Sequence, residues 1–170
     1  MNEFRYDTYC GLYCGACDIL AAYKKSQEQH TLPQWNALPE TIQQHIPQAD
    51  IICYGCKSDT VFAGCRKCPI RKCARKKKGI ESCLDCQKYP CLIHHISKLV
   101  KTIMRLEKKL PHLKITPKNL ATIQQKGIRV WLEEQQHTWQ CPDCQTHFTW
   151  YQQECSQCGK NLETFKDYNQ

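Results

Sequence analysis

The chain has 170 residues, 15 of them cysteine, and a formal charge of +8. That length suits one domain, or a domain with a small appendage, and a core this thin and cysteine-rich calls for covalent or metal staples. No apolar run approaches the length that spans a bilayer, and the opening MNEFRYDTYC lacks the basic-then-apolar pattern of an export signal, so a soluble cytoplasmic protein is expected.

The cysteine count is odd, which disfavours a disulfide framework. Most cysteines sit as C-x2-C, the spacing that wraps a backbone turn around one metal. The charge then needs rereading. A four-thiolate zinc site carries about −2, and four such sites would contribute about −8. The basic excess is therefore readable as counter-charge for metal rather than as a footprint for nucleic acid.

In chain order, the first knuckle is Cys10, Cys14 and Cys17. A helix is expected from Asp18 to about residue 29, with Asp18 as N-cap and Ile19, Ala22 and Tyr23 on one face. Residues 38–46 fit a short helix, entered at Pro39 and stopped by Pro47, which would cover the metal core. Cys53-Tyr-Gly-Cys56 is a second knuckle, with glycine where a tight turn needs it. Pro69 to Lys78 reads as a short helix closed by Gly79. Around it the same spacing occurs twice, as Cys65-x2-Cys68-x4-Cys73 and Cys83-x2-Cys86-x4-Cys91.

A longer helix is expected from Tyr89 to about Leu110. Leu92, Ile96, Leu99, Ile103, Leu106 and Leu110 repeat at helical spacing, and Ile93, Val100 and Met104 widen the stripe. At under three heptads, intramolecular packing is expected rather than a coiled-coil seam. Pro111 ends it, Thr116-Pro117 starts another helix, and Gly127 separates that from a short amphipathic segment over 128–136. Ile128, Trp131 and Leu132 are expected to pack on the long helix. Last come Cys141-x2-Cys144 and Cys155-x2-Cys158, the pattern of a zinc ribbon. His147 to Tyr151 are β-prone, with Phe148 and Trp150 on one face.

The four C-terminal cysteines predict a closed tetrahedral zinc site, which polarises no water and is structural. Upstream, Cys91-x2-His94 adds His94 as a candidate ligand beside the cysteines. The alternative is that His94 and His95 lie on the polar side of the helix and bind nothing. Which upstream pairs share a metal is not fixed by spacing. Iron–sulfur clusters are the rival to zinc there. The C-x2-C-x4-C runs do not match ferredoxin spacing. Cys10-x3-Cys14-x2-Cys17 has the spacing of radical S-adenosylmethionine enzymes, but the chain has no room for their barrel; an electron-carrier cluster stays open. The run from Arg66 to Lys78 is basic without an acid, and reads either as a phosphate-contacting patch or as compensation for adjacent thiolates. No carboxylate pair, phosphate-cradling loop or HExxH is present, so no catalytic residue is assigned and an enzyme is not the favoured reading.

Cys10-Gly-Leu-Tyr-Cys-Gly-Ala-Cys17, Cys53-Tyr-Gly-Cys56, Cys65-Arg-Lys-Cys-Pro-Ile-Arg-Lys-Cys73 and Lys78-Gly-Ile-Glu-Ser-Cys-Leu-Asp-Cys-Gln-Lys-Tyr-Pro-Cys91 together resemble a prokaryotic cysteine-rich family. It is the family catalogued as domain of unknown function 3795, and the resemblance covers about residues 8–95. Gly127-Ile-Arg-Val-Trp-Leu-Glu-Glu-Gln followed by Trp139-Gln-Cys-Pro-Asp-Cys144 looks like its longer members, which add a zinc ribbon. The resemblance implies a zinc-binding protein and supports the cysteines as ligands; it carries over no catalytic residue.

The expected fold is a small metal-stabilised α+β protein, with a mostly helical cysteine-rich core and a C-terminal β zinc ribbon. Its parts are a cysteine-rich metal-binding domain (1–95), a helical bridge (96–136), the zinc ribbon (137–163) and a tail (164–170). Metal ligands are expected at Cys10, Cys14, Cys17, Cys53, Cys56, Cys65, Cys68, Cys73, Cys83, Cys86, Cys91, His94, Cys141, Cys144, Cys155 and Cys158, holding roughly three or four zinc ions. The expected function is a structural zinc protein that acts as a binding or adaptor module for nucleic acid or protein, with no membrane. The alternative is an iron–sulfur electron carrier or a metal-dependent enzyme.

Overall fold

A computed structural model describes residues 3–162 and 164; the rest of the expected 164–170 tail lies outside the described residues. The described residues form eight helices in order: α1 (Asp18–Glu28), α2 (Glu40–His45), α3 (Ala63–Arg66), α4 (Pro69–Arg75), α5 (Leu92–Ile103), α6 (Leu106–Lys109), α7 (Thr116–Lys126) and α8 (Ile128–Thr138). Short 3-10 turns at Cys14–Ala16, Trp35–Ala37, Cys83–Asp85 and Pro111–Ile115 join them. Proline opens α4 and α7 in the first turn, where its missing N–H has no intrahelical partner to lose. None of the described helices is long and apolar enough to cross a membrane.

The β zinc ribbon is not seen. Among the described residues there is no sheet, only two isolated bridges, Gln140 with His147 and Glu154 with Asn161. The β-prone aromatics are drawn elsewhere. The Trp150 N–H donates to the carbonyl of Ala16 at 2.9 Å, and the Thr149 hydroxyl donates to Asp18 Oδ1 at 2.5 Å. Trp150 also stacks on His112, with centroids 4.1 Å apart and planes within 7°. Pairing 147–151 as a strand would point the adjacent Trp150 and Tyr151 to opposite faces, whereas both are buried in the core. Hydrophobic burial of two large aromatics outweighs the few ladder hydrogen bonds so short a strand would make. The fold is thus helical and irregular rather than α+β.

One core runs from Tyr13, Ile19 and Leu20 through Leu38, Ile42, Val61 and Phe62 to Leu120, Trp131, Trp139 and Leu162. Trp131 is fully buried, edge-on to Tyr13 at 6.1 Å, so α8 sends its tryptophan to the N-terminal segment. The Asn119 amide donates to the Gly11 carbonyl at 2.8 Å, which fixes α7 to the first knuckle. A smaller cluster of Tyr9, Ile70 and Ala74 lies among Cys10, Cys56, Cys68 and Cys83.

The long apolar helix differs most from expectation. It breaks at Arg105, whose φ of 51° is left-handed, and α6 then turns Leu110 into the core. A continuous helix would carry Leu110 along the same exposed line as Leu99 and Ile103. Instead, the stripe on α5 stays uncovered. Leu92 is 73 % exposed, Leu99 58 % and Ile103 70 %.

His112 gives the fold a pH dependence. It is buried, stacked on Trp150, with Nδ1 2.5 Å from the Tyr151 hydroxyl. Burial first, and then the charge of Lys101, push its pKa down to about 3 from the ordinary 6.5. The unfolded chain therefore takes up the proton first. The stabilisation is full above about pH 6.5 and is lost as pH falls towards 3, at about 1.4 kcal/mol per unit. His112→Phe keeps the stack and cannot be protonated. The stability of wild type relative to His112→Phe, measured by urea unfolding, is expected to fall by about 2 kcal/mol or more between pH 7 and pH 4.5. A constant difference would disprove the assignment.

Candidate metal centre

The C-terminal knuckles are two copies of one local design. In each, the residue after the second cysteine is left-handed, Gln145 with φ 60° and Gly159 with φ 72°. The first cysteine N–H then reaches across the loop, Cys141 to the Thr146 carbonyl and Cys155 to the Lys160 carbonyl, both at 2.8 Å. The isolated bridges close the base of each loop. Lys160 Nζ spans the two knuckles to Asp143 Oδ1 at 2.6 Å.

This places the four sulfurs of Cys141, Cys144, Cys155 and Cys158 within 4.8 Å of one another. Cys144 and Cys155 are 3.4 Å apart, and Cys141 and Cys158 3.6 Å. Four sulfurs at about 2.3 Å from a central zinc stand about 3.8 Å apart, so the spacing suits a single tetrahedral ion. Cys141 and Cys155 are buried, and Cys158 is exposed. The Thr146 hydroxyl lies 3.3 Å from the Cys144 sulfur. Hydrogen bonding with Thr146, side chain first and then backbone, lowers the Cys144 thiol below its ordinary value, which favours the thiolate, the form that ligates metal. Sequence reading missed Thr146; a hydroxyl two positions beyond a knuckle's second cysteine is the signal that was available.

Among the described residues, this is the one set of three or more Cys, His, Asp or Glu ligand atoms within that radius. The other cysteines fall into two neighbourhoods that share Cys10. Cys14 lies in the field of Cys56, Cys17 and Cys53, and Cys17 in that of Cys53 and Cys65. Cys56 feels Cys10, Cys65 and Cys68. Burial, and then these neighbours, push the Cys14, Cys17 and Cys56 thiols well up and Cys65 to about 12. The second neighbourhood centres on Cys83, which burial and then Cys10, Cys91, Cys73 and Cys86 push up to about 12. Cys73, Cys83, Cys86, Cys91 and His94 line one cavity between α4 and α5.

The knuckles are braced by charges that sequence reading did not single out. Lys57, its side chain 5 % exposed, reaches Asp7 at 2.5 Å and Glu81 at 2.7 Å. It ties the N-terminal segment, the Cys53/Cys56 knuckle and the approach to Cys83 together. The basic run is partly engaged inside the fold. Arg71 is buried and donates to the carbonyls of Cys56 and Ser58 at 2.8 and 2.7 Å. Arg75 pairs with Asp59, and Lys77 Nζ donates to Cys86 Sγ at 2.9 Å.

The family described as Protein of unknown function (DUF3795) matches residues 6–95. No curated protein matches the chain, and no solved structure does.

Proposed function

The chain belongs to the DUF3795 family of proteins of unknown function, and on that premise we propose that it is a zinc-stabilised docking module for another protein. Zinc at Cys141, Cys144, Cys155 and Cys158 holds the C-terminal knuckles, with every position taken by protein. The other cysteines and His94 supply the remaining metal ligands. The role is structural, and recognition lies elsewhere, on α5.

The observation that carries this reading is the uncovered apolar face of α5. Leu92, Ile96, Leu99, Val100, Ile103 and Met104 are all exposed. A contiguous apolar stripe of this kind on a water-facing helix marks an interaction surface. Its flanks carry Lys98, Lys101 and Arg105, and no acid occurs from Pro90 to Leu106. The complementary partner is an apolar groove with an acidic rim, the helix-in-groove mode of recognition. Nucleic acid is less well matched, because phosphate has no use for six exposed apolar side chains. Arg71, Arg75 and Lys77 are also already engaged.

A photo-crosslinking residue in place of Leu99 tests the reading. Irradiation in cells is expected to give a discrete protein adduct that Ile103→Glu in the same chain abolishes. That second change falls on an exposed position and leaves the melting temperature within about 1 °C. Nucleic acid in the adduct, or a folded protein that yields no adduct, would refute it.

A further inference from the structure

Eight cations stand between Arg66 and Lys78, and no acid occurs from Thr60 to Ile80. The fold commits three of the eight. Arg71 is buried and donates to the carbonyls of Cys56 and Ser58, Arg75 pairs with Asp59, and Lys77 donates to Cys86 Sγ. The other five are Arg66, Lys67, Lys72, Lys76 and Lys78. All are exposed, and none makes an ion pair or side-chain hydrogen bond among the described residues.

Short helices set where these five lie. On α4, Ile70 and Ala74 are about one turn apart and buried. Lys72 and Lys76, spaced in the same way, therefore share the opposite, water-facing side. Arg66 and Lys67 close α3, which packs on α4, and Lys78 follows α4 in the chain. Lys88 is a further exposed cation beside them, since it and Lys77 both lie in the field of the Cys86 sulfur. The flanking acids do not offset this surface. Asp59 and Glu81 are held by Arg75 and Lys57, and Asp85 accepts from the backbone N–H groups of Glu81 and Ser82.

Metal ligation leaves the surface positive. A four-thiolate zinc site carries about −2, or about −0.5 per cysteine. Cys65, Cys68 and Cys73 would thus offset only about 1.5 of the eight charges. Only Lys77 among the eight donates to a sulfur.

Composition narrows what such a surface takes. No aromatic residue occurs from Ala63 to Lys88, and no Asn, Gln, Ser or Thr from Ala63 to Gly79. The surface has no ring on which an unpaired base would stack and no amide to read a base edge. It has no exposed large apolar side chain to anchor a peptide. Phosphate is left, and its charge is densest along a duplex.

We propose that the outward face of α3 and α4, with Arg66, Lys67, Lys72, Lys76 and Lys78, binds the phosphate backbone of double-stranded nucleic acid without reading its sequence. This surface is distinct from the α5 stripe. The α5 residues at the cavity with α4 include Ile93 and His94, whereas Leu99 and Ile103 face water.

The test is fluorescence anisotropy of the full chain with a labelled DNA duplex, the same duplex with scrambled sequence, and an RNA duplex. The two DNA sequences are expected to bind within about twofold of each other. Affinity should fall several hundredfold between about 50 and 200 mM salt, a log–log slope of about −4 to −5. Binding to the DNA or the RNA duplex supports the proposal, and the two arms say which is preferred. Lys72→Gln/Lys76→Gln falls on exposed positions and is expected to keep the wild-type melting temperature. It should bind roughly tenfold more weakly at about 100 mM salt, with the slope reduced by about 2. Leu99→Gln on α5 is the control and should bind as wild type does. No binding to any duplex at about 50 mM salt overturns the proposal. So do an unaltered slope in the double variant, an equal loss in Leu99→Gln, tighter binding to single strands, or capture by polyglutamate or phosphatidylserine vesicles in place of the duplexes.

Discussion

Cys141→Ser is expected to cost the protein one equivalent of zinc and several kcal/mol of stability. Cys141 is fully buried in the core shared with Trp139 and Phe148, and its sulfur is 3.6 Å from that of Cys158. A structural zinc site has an apparent binding energy of about 10–16 kcal/mol at neutral pH. The loss is smaller here, about 3–5 kcal/mol, the range of severe single-site effects. Trp139, Trp150 and Leu162 keep the knuckles attached to the core without the ion. Burying a serine hydroxyl adds about 1–3 kcal/mol of its own, so Cys158→Ser is the necessary companion. Cys158 is exposed, and its replacement removes a ligand with little burial cost. Elemental analysis of both variants should show the same loss of zinc, with the larger fall in melting temperature for Cys141→Ser. Full zinc content in either variant would remove the assignment.

Gly55→Ala is expected to be the most damaging substitution outside the cysteines, at about 3–5 kcal/mol. Gly55 has φ +107°, and a Cβ there would stand 1.8 Å from the carbonyl oxygen of Arg5. The obstacle is backbone, so no side-chain rotation relieves it. Arg5 is itself held to the same turn, its N–H donating to the Tyr54 carbonyl at 2.7 Å. Three costs combine: the left-handed backbone at about 1–2 kcal/mol, overpacking at about 1–3, and the weakened hydrogen bond at about 1. The Phe4 and Tyr23 rings on Tyr54, at 4.9 and 5.2 Å, would also shift, and Cys53 and Cys56 with them. Gly79→Ala is the control. Its φ is +72°, but a Cβ would meet nothing within 4 Å, so only the conformational cost of about 1 kcal/mol applies. Urea unfolding that ranks Gly79→Ala as equal to or worse than Gly55→Ala would sink the argument.

Neither result depends on chain-wide pattern. Both follow from turns a few residues long, and those turns were readable in the sequence. Cys53-Tyr-Gly-Cys56 demanded a glycine, and Gly55 is held by Arg5. Cys141-x2-Cys144 and Cys155-x2-Cys158 announced two knuckles, and their sulfurs converge. Proline and glycine marked α4, α7 and α8 within a few residues of their ends. The reason is that short-range sterics decide such features. A positive φ, a proline ring or a C-x2-C turn is settled by atoms within the same few residues.

Other features were settled only when distant parts of the chain met. The β-prone run around Trp150 became no strand, because His112 and Ala16 bind Trp150 and Tyr151 more favourably than a ladder would. The stripe from Leu92 to Leu110 divides at Arg105, one part turned into the core and the rest facing water; periodicity specifies an apolar face and not what covers it. Trp131 packs on Tyr13 rather than on α5. The cysteines upstream of the knuckles are chemically equivalent in sequence, so spacing alone could not sort them. Packing of α4 and α5 separates Cys73, Cys83, Cys86 and Cys91 from those around Cys53 and Cys65. By itself, the sequence determined that this is a cysteine-knuckle protein with short helices. Which sulfurs share a neighbourhood, and which apolar face stays exposed, was decided by burial, a sum over residues far apart in the chain.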